Sequence, residues 1–211
     1  MRKKILITAG PTIEMIDPIR YISNSSSGKQ GYAIAECAKK AGWHTTLISG
    51  PVHIPKINCD AFIPVVSCDD MFSACINELP VDVAIFAAAV TDWKPAFHPM
   101  KIKKDQLKSI NVDVNIDILK YIGTSPTIRP KFVVGFSLES KDLISNTKRK
   151  LLEKNCDMIV ANHHMVDDKN CVFGSDYNKV TIITLNKCES FEVCSKKEIA
   201  QLIIEYVSKV V

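Results

Sequence analysis

Residues 3–49 decide the fold. They run Lys3-Lys4-Ile5-Leu6-Ile7-Thr8-Ala9, then Gly10-Pro11-Thr12, then a polar stretch ending Ser25-Ser26-Ser27-Gly28-Lys29. A segment with helical periodicity follows to Ala41, with Tyr32, Ala35, Ala38 and Lys39 about a turn apart, and Gly42 stands where a helix stop is expected. His44-Thr45-Thr46-Leu47-Ile48-Ser49 is a second apolar run of strand length, broken by Gly50-Pro51. Strand, polar turn, helix, strand is the opening of an α/β unit.

The pattern repeats outward from this stretch. Asp69–Leu79 reads as a helix with Asp69 as N-cap, and Val81–Ala89 as a strand apolar almost throughout, as in a parallel sheet covered on both faces. Residues 90–112 break the rhythm with Pro95, Pro99 and five lysines, and a flap is expected over about 93–111. Val112–Ile116 alternates as a short strand before a helical turn at Asp117–Ile122. Further strands are expected at Lys131–Leu138 and Asp157–Ala161, and helices at Asp142–Lys154 and Lys196–Val210. Lys179–Leu185 and Ser190–Cys194 form a hairpin around Asn186-Lys187. The expected fold is therefore α/β: one domain over 1–211 with a doubly wound, mostly parallel, Rossmann-like sheet and an antiparallel edge hairpin.

Composition bounds the function. The chain has 211 residues, 46% hydrophobic and 24% charged, with 8 Gly and 10 Pro, which excludes a disordered or collagenous chain. A net charge of +4 admits small anionic ligands and gives little support for nucleic acid. No apolar run reaches the roughly 20 residues of a membrane span, and the apolar stretch after Met1-Arg2-Lys3-Lys4 is too short for a secretory signal, so a cytoplasmic protein off the membrane is expected. Eight cysteines without a C-x-x-C pair read as reduced thiols. His163-His164 are neighbours on a strand and point to opposite faces, a poor arrangement for one metal, and no metal ligands are assigned.

Ligands in doubly wound sheets sit beyond the carboxyl ends of the strands. After the first strand, a Ser-rich turn leads into a helix at Gly28. It reads either as an ordinary cap cluster or as an anion cradle. It is neither G-x-G-x-x-G nor Walker A. Arg20 can hold a carboxylate or phosphate with two N–H groups, and Asn24 can donate to an oxyanion. After the third strand, Ala87-Ala88-Ala89 either admits a flat ligand or packs a helix closely, and Asp92 suits a metal or a ribose hydroxyl. Lys101-Ile102-Lys103-Lys104 is either a solvated face or a flap able to close over a triphosphate. Lys150 and Lys154 share one helix face and read as surface lysines.

In order, Ile7–Thr12, Ile16–Asn24, Ser26–Lys29, Ala88–Asp92, Lys101–Lys104, Val134–Phe136 with Glu139, and Ala161-Asn162 resemble the phosphopantothenate–cysteine ligase (phosphopantothenoylcysteine synthetase) family, in its bacterial CTP-dependent form. The resemblance covers nearly the whole chain. It implies an amide-forming ligase of coenzyme A biosynthesis, with 4′-phosphopantothenate, cysteine and CTP as substrates, Mg²⁺, an acyl-cytidylate intermediate and a homodimer. It sets Lys101 at the phosphates, Asn24 at the acyl carbonyl and Arg20 near the acyl-cytidylate. It assigns nucleotide contacts to Phe86, Ala87, Ala88, Asp92, Ile116, Asp117, Ile118, Leu119, Phe136, Lys150 and Lys154. Many bacterial forms follow a flavin-dependent decarboxylase; here the chain starts at the ligase's first strand, so a separate decarboxylase is expected and no flavin in this chain. Departures from the family wording fall at Leu138, Ser140, His163 and Val172–Asn178. Two other readings remain at this point: a dinucleotide-binding oxidoreductase, against which the missing glycine fingerprint stands, and a non-catalytic regulator, which would need neither Asn24 nor Lys101.

Overall fold

The first apolar run forms β1 (Lys4–Ala9) of the computed structural model, which describes residues 2–104, 109–139, 141–163 and 174–211. The chain continues through β2 (Ile13–Met15), β3 (Tyr21–Ser23), α1 (Lys29–Lys40), β4 (His44–Ser49), β5 (Ala61–Pro64), α2 (Cys68–Glu78) and β6 (Val83–Phe86). Then come β7 (Trp93–Pro95), β8 (Val112–Val114), α3 (Ile118–Gly123), β9 (Phe132–Glu139), α4 (Leu143–Glu153) and β10 (Met158–His163). Last are β11 (Tyr177–Asn178), β12 (Val180–Thr184), β13 (Cys188–Ser190), β14 (Cys194–Ser195) and α5 (Lys196–Val210).

Eight strands form the central sheet in the order β13-β12-β10-β9-β6-β1-β4-β5. Neighbours from β10 through β5 are parallel, and β12 and β13 add an antiparallel edge. This is the expected doubly wound sheet. Alternation along each strand feeds two cores. Ile5, Ile7, Ile85 and Val134 face α1 and α5, meeting Ile34, Ala35, Ile203 and Val207. Leu6, Ile48, Ala84 and Ile159 face the other way, toward Met71 of α2, Ile122 of α3 and Leu151 of α4. Each fully buried Ile or Leu contributes roughly 1.5–3 kcal/mol to stability.

The strand order reverses beside β1: β4 and β5 extend the sheet on one side, β6, β9 and β10 on the other. The crevice between the carboxyl ends of β1 and β6 is the switch point where such sheets bind ligands. It is stitched by backbone and side chain. Ala89 N–H donates to Gly10 O at 2.9 Å, and Thr91 N–H donates to Thr12 Oγ1 at 2.9 Å. α1 lies close to this rim because residue 31 has no side chain: a Cβ there would sit 2.5 Å from the Ala9 Cβ.

The structure departs from or adds to these expectations in several places. The segment 93–111 is not a plain loop, since β7 and β8 close it as an antiparallel arm with Trp93 opposite Val114; residues 105–108 of it lie outside the described residues. β8 therefore pairs with β7 and not with the central sheet. β5 was not expected; it is a four-residue edge strand ending at Pro64, where a missing N–H is tolerated. The N-cap of α2 is Ser67 and not Asp69: Ser67 accepts from Asp70 N–H, and Asp70 returns a bond to the Ser67 amide. The second strand of the edge hairpin is Cys188–Ser190 and not Ser190–Cys194; Cys194 pairs with Asn178 in a separate two-stranded ladder. His164, Cys171 and Val172–Phe173 lie outside the described residues, as does Ser140. No described helix is long and apolar enough to cross a membrane.

Candidate functional site

Two adjoining cavities open at the carboxyl ends of the strands. The larger, about 720 Å³, lies over β1, β6 and β9 and reaches α3 and α4. The smaller, about 280 Å³, lies over β9 and β10 and the start of α1. Ser26, Ala88, Ala89, Phe136, Ser137 and Leu138 line both, so the two share a wall.

Most of the expected site residues meet here. Asn24, Phe86, Ala88, Asp92, Ile116, Asp117, Ile118, Leu119, Phe136, Lys150 and Lys154 line the larger cavity, and Ala87 lines the smaller. Arg20 and Lys101 line neither; they lie together at the root of the flap, where Arg20 Nη2 donates to Ile102 O at 2.9 Å.

Lys150 and Lys154 are not ordinary surface lysines. Lys150 Nζ is 2.6 Å from Glu139 Oε1, and Lys154 Nζ is 2.9 Å from Asp117 Oδ2. Asp117 also caps α3 by accepting from Lys120 N–H at 2.9 Å. Glu139 stands at the end of β9 with its side chain 13% exposed, which fixes the Lys150 stem against the cavity wall. Nothing in the local sequence marks Glu139 as this partner, because the pairing joins the end of a strand to the third turn of the next helix.

Asn24 reaches across the switch point. Its Nδ2 donates to Ala89 O and Val90 O, each at 3.1 Å, which fixes the amide's orientation. Both of its donors are thus engaged with backbone of the strand end that follows β6. To donate to an oxyanion, as expected, Asn24 exchanges one of these carbonyls for it.

The helix starts differ in their chemistry. α2 and α5 each begin with a complete capping box, Ser67 with Asp70 and Ser195 with Glu198. α1 begins at Gly28 in the left-handed conformation, φ 75°, with no side-chain cap and no acidic residue in its first turn. The amides and dipole of α1 are left facing the smaller cavity, which Lys29 and Lys196 also line. Burial, with Lys29 nearby, lowers the pKa of Lys196. His163, also in the lining, is lowered by burial and by Lys179, and its Nε2 pairs with Thr181 Oγ1 at 2.9 Å.

The described thiols play no part in this site. Burial pushes Cys68 up to about 11, and Cys75 and Cys156 up to about 12, so they stay protonated. Among the described residues, no group of three or more His, Cys, Asp or Glu side chains is gathered to hold a metal.

Coenzyme A biosynthesis bifunctional protein CoaBC of Bacillus subtilis (strain 168) is 42% identical over 186 residues, 85% of this chain and 44% of that one. The chain spans about half the length of the curated relatives it matches. A crystal structure of the C-terminal domain of CoaBC superposes with a TM-score of 0.82 at 35% identity, covering 98% of this chain and 94% of that one. A Cab2 mutant in complex with phosphopantothenate-cysteine shares the fold, with a TM-score of 0.72 at 16% identity, covering 98% of this chain and 85% of that one. The sequence matches the DNA/pantothenate metabolism flavoprotein C-terminal domain over residues 1–211, and the chain belongs to that family.

Proposed function

We propose that this chain is a phosphopantothenate–cysteine ligase that joins 4′-phosphopantothenate to cysteine with CTP, in coenzyme A biosynthesis. The observation that carries this reading is the larger cavity itself. It sets Asn24 on one wall and the Lys150 and Lys154 pairs on another, across a floor of small residues at the switch point. The relatives, named for coenzyme A biosynthesis, supply the metabolic setting.

The chemistry proceeds in two steps. A carboxylate oxygen of phosphopantothenate attacks the α-phosphorus of CTP; a new P–O bond forms and pyrophosphate leaves. The cysteine amine then attacks the acyl carbon, CMP leaves, and the ammonium loses its extra proton. Both reactants of the first step are anions, so cations must answer the charge that gathers between them. Lys150 and Lys154 stand on the nucleotide wall, and Lys101 is the flap cation that meets the phosphates when the flap approaches. Asn24 turns one N–H from a backbone carbonyl to the acyl oxygen as charge builds there, exchanging a neutral hydrogen bond for a charge-assisted one. Arg20 lies near the acyl-cytidylate by virtue of the same flap root.

Mg²⁺ suits this lining as an ion carried by the nucleotide. It is commonly held by one or two carboxylates plus substrate phosphates, and not by an all-protein cage. Asp92 and Asp117 are the carboxylates of the larger cavity, with Asp117 already engaged by Lys154; Asp92 would hold the ion, which supplies further charge neutralisation. A homodimer accords with the arms β2–β3 and β7–β8 and the strap after β7. There Tyr21, Trp93, Phe97 and Val114 are more than half exposed, an unusual gathering of apolar side chains for a surface left in water.

The test is pyrophosphate release with phosphopantothenate and Mg²⁺, comparing CTP with ATP, with and without cysteine. The reading expects release with CTP before cysteine is added and an amide product after. No release with either nucleotide overturns it, and release with ATP alone overturns the CTP assignment.

A further inference from the structure

The turn that joins β2 to β3 does more than reverse the chain. At its head the Asp17 side chain is fully buried. Its Oδ1 accepts from the amides of Ile19 and Arg20, each at 2.9 Å, which is an ordinary Asx turn. Its Oδ2 does something a turn does not require. It accepts from Arg20 Nε at 3.0 Å and Arg20 Nη2 at 2.5 Å, and also from the amide of Ile102 at 3.2 Å. Arg20 Nη2 in turn donates to Ile102 O. The carboxylate and its guanidinium thus grip both backbone groups of one residue, as a neighbouring strand would.

Ile102 follows Lys101. A second tie lies just upstream, where His98 N–H donates to Ile16 O at 2.9 Å. The strap from His98 to Ile102 is therefore fastened at both ends to the same turn, with Lys101 exposed between the ties. Asn or Ser would make the local turn equally well. An ionised carboxylate makes these bonds to the guanidinium and the distant amide charge-assisted, which a neutral Asn or Ser oxygen does not. Arg20 keeps Asp17 in this form, well below the usual carboxylate range.

We propose that Asp17 is a positioning residue for Lys101: through Arg20 and the Ile102 backbone, it sets the reach of the Lys101 ammonium toward a bound triphosphate. This rests on the ligase reading of Lys101. It also explains why Arg20 and Lys101 stand together outside the cavity: both belong to the flap root that Asp17 organises.

The experiment uses the whole chain and has two readouts, CTP-dependent pyrophosphate release and protection of individual lysines by CTP from acetic anhydride, followed by mass spectrometry. In the wild type, CTP protects Lys101, Lys150 and Lys154. In Asp17→Asn, kcat falls by about 10- to 100-fold with KM for CTP little changed, as expected for a displaced group. Protection of Lys101 is lost while that of Lys150 and Lys154 is kept. If Lys101 stays protected, or if all three lysines lose protection together, Asp17 is only a structural turn residue and the proposal falls. If CTP protects none of the three in the wild type, the ligase reading itself falls and the proposal with it. Should Asp17→Asn not fold, the double variant Asp17→Asn/Arg20→Gln removes both charges at once, leaves no unpaired ion in the turn, and is read by the same protections.

Discussion

The sheet rim and the strap after β7 hold their functional groups by different means. At the rim, Thr12 and Thr91 are buried and bonded to each other, Gly31 lets α1 press on Ala9, and Asn24 is held by two carbonyls. Thr12, Thr91 and Gly31 are buried or packed against the sheet, and Asn24 is held by the backbone that follows β6. The strap is the reverse: His98 to Lys101 are all exposed, Met100 is 69% exposed, and the ties run to Ile16 and to the Asp17–Arg20 pair. At Gly31 the rim cannot take a side chain without disturbing the sheet. The strap can be altered while the sheet stays folded. A catalyst that must admit a large anion and then surround it needs both kinds of support.

The largest expected effect lies on the strap. Lys101→Ala lowers CTP-dependent pyrophosphate release by about 10²–10³-fold, by analogy with loss of one oxyanion donor, with an unchanged thermal midpoint. Activity and melting curves on the same sample check it; a fall in both would erase the distinction between the two regions. Next comes the rim. Gly31→Val forces a branched side chain against Ala9 and destabilises the fold by about 1–3 kcal/mol, read from the urea midpoint. A wild-type midpoint would show that α1 is free to move away.

A smaller change is expected at Asn24, on the rim. Asn24→Asp sets a carboxylate oxygen against Ala89 O and Val90 O and removes the donors. Amide formation falls by about tenfold or more while CTP affinity moves much less, consistent with loss of a single charge-assisted bond. Single-turnover formation of the acyl-cytidylate and of the amide separates the two steps. The smallest effect concerns His163 at the end of β10. Its pKa is below the ordinary 6.5 in the folded chain, so between the folded and ordinary values the unfolded chain binds more protons. Stability therefore falls as pH drops through that window, and His163→Gln flattens the fall. Urea midpoints at pH ~7.5 and ~5 measure it; equal slopes in both proteins would remove His163 from the account.

Much of the sheet was legible because its strands are long apolar runs and its helices carry a full period. Gly42, at φ 87°, stands where α1 ends, and α5 spans Lys196–Val210 as read. The arms were legible only at β8, inside the alternating Val112–Ile116. β2, β3, β7 and β8 have three residues each, too few for a period, and they pair only once the surrounding turns bring them together. The cap of α2 is ambiguous in sequence, because Asp69 in the first turn resembles a cap and only the reciprocal bond with Asp70 identifies Ser67. At the site, residues near the strand ends were found by the switch-point rule. The tie between Asp17 and Ile102 spans 85 residues and leaves no local pattern, so the separation of Arg20 and Lys101 from the cavity could not be read beforehand.

The pairs Lys150–Glu139 and Lys154–Asp117 make one wall of the larger cavity nearly neutral. An incoming ligand must compete with two carboxylates for two ammonium groups. On the ligase reading, this wall yields its two ammonium groups more readily to an anion of high charge than to one of low charge.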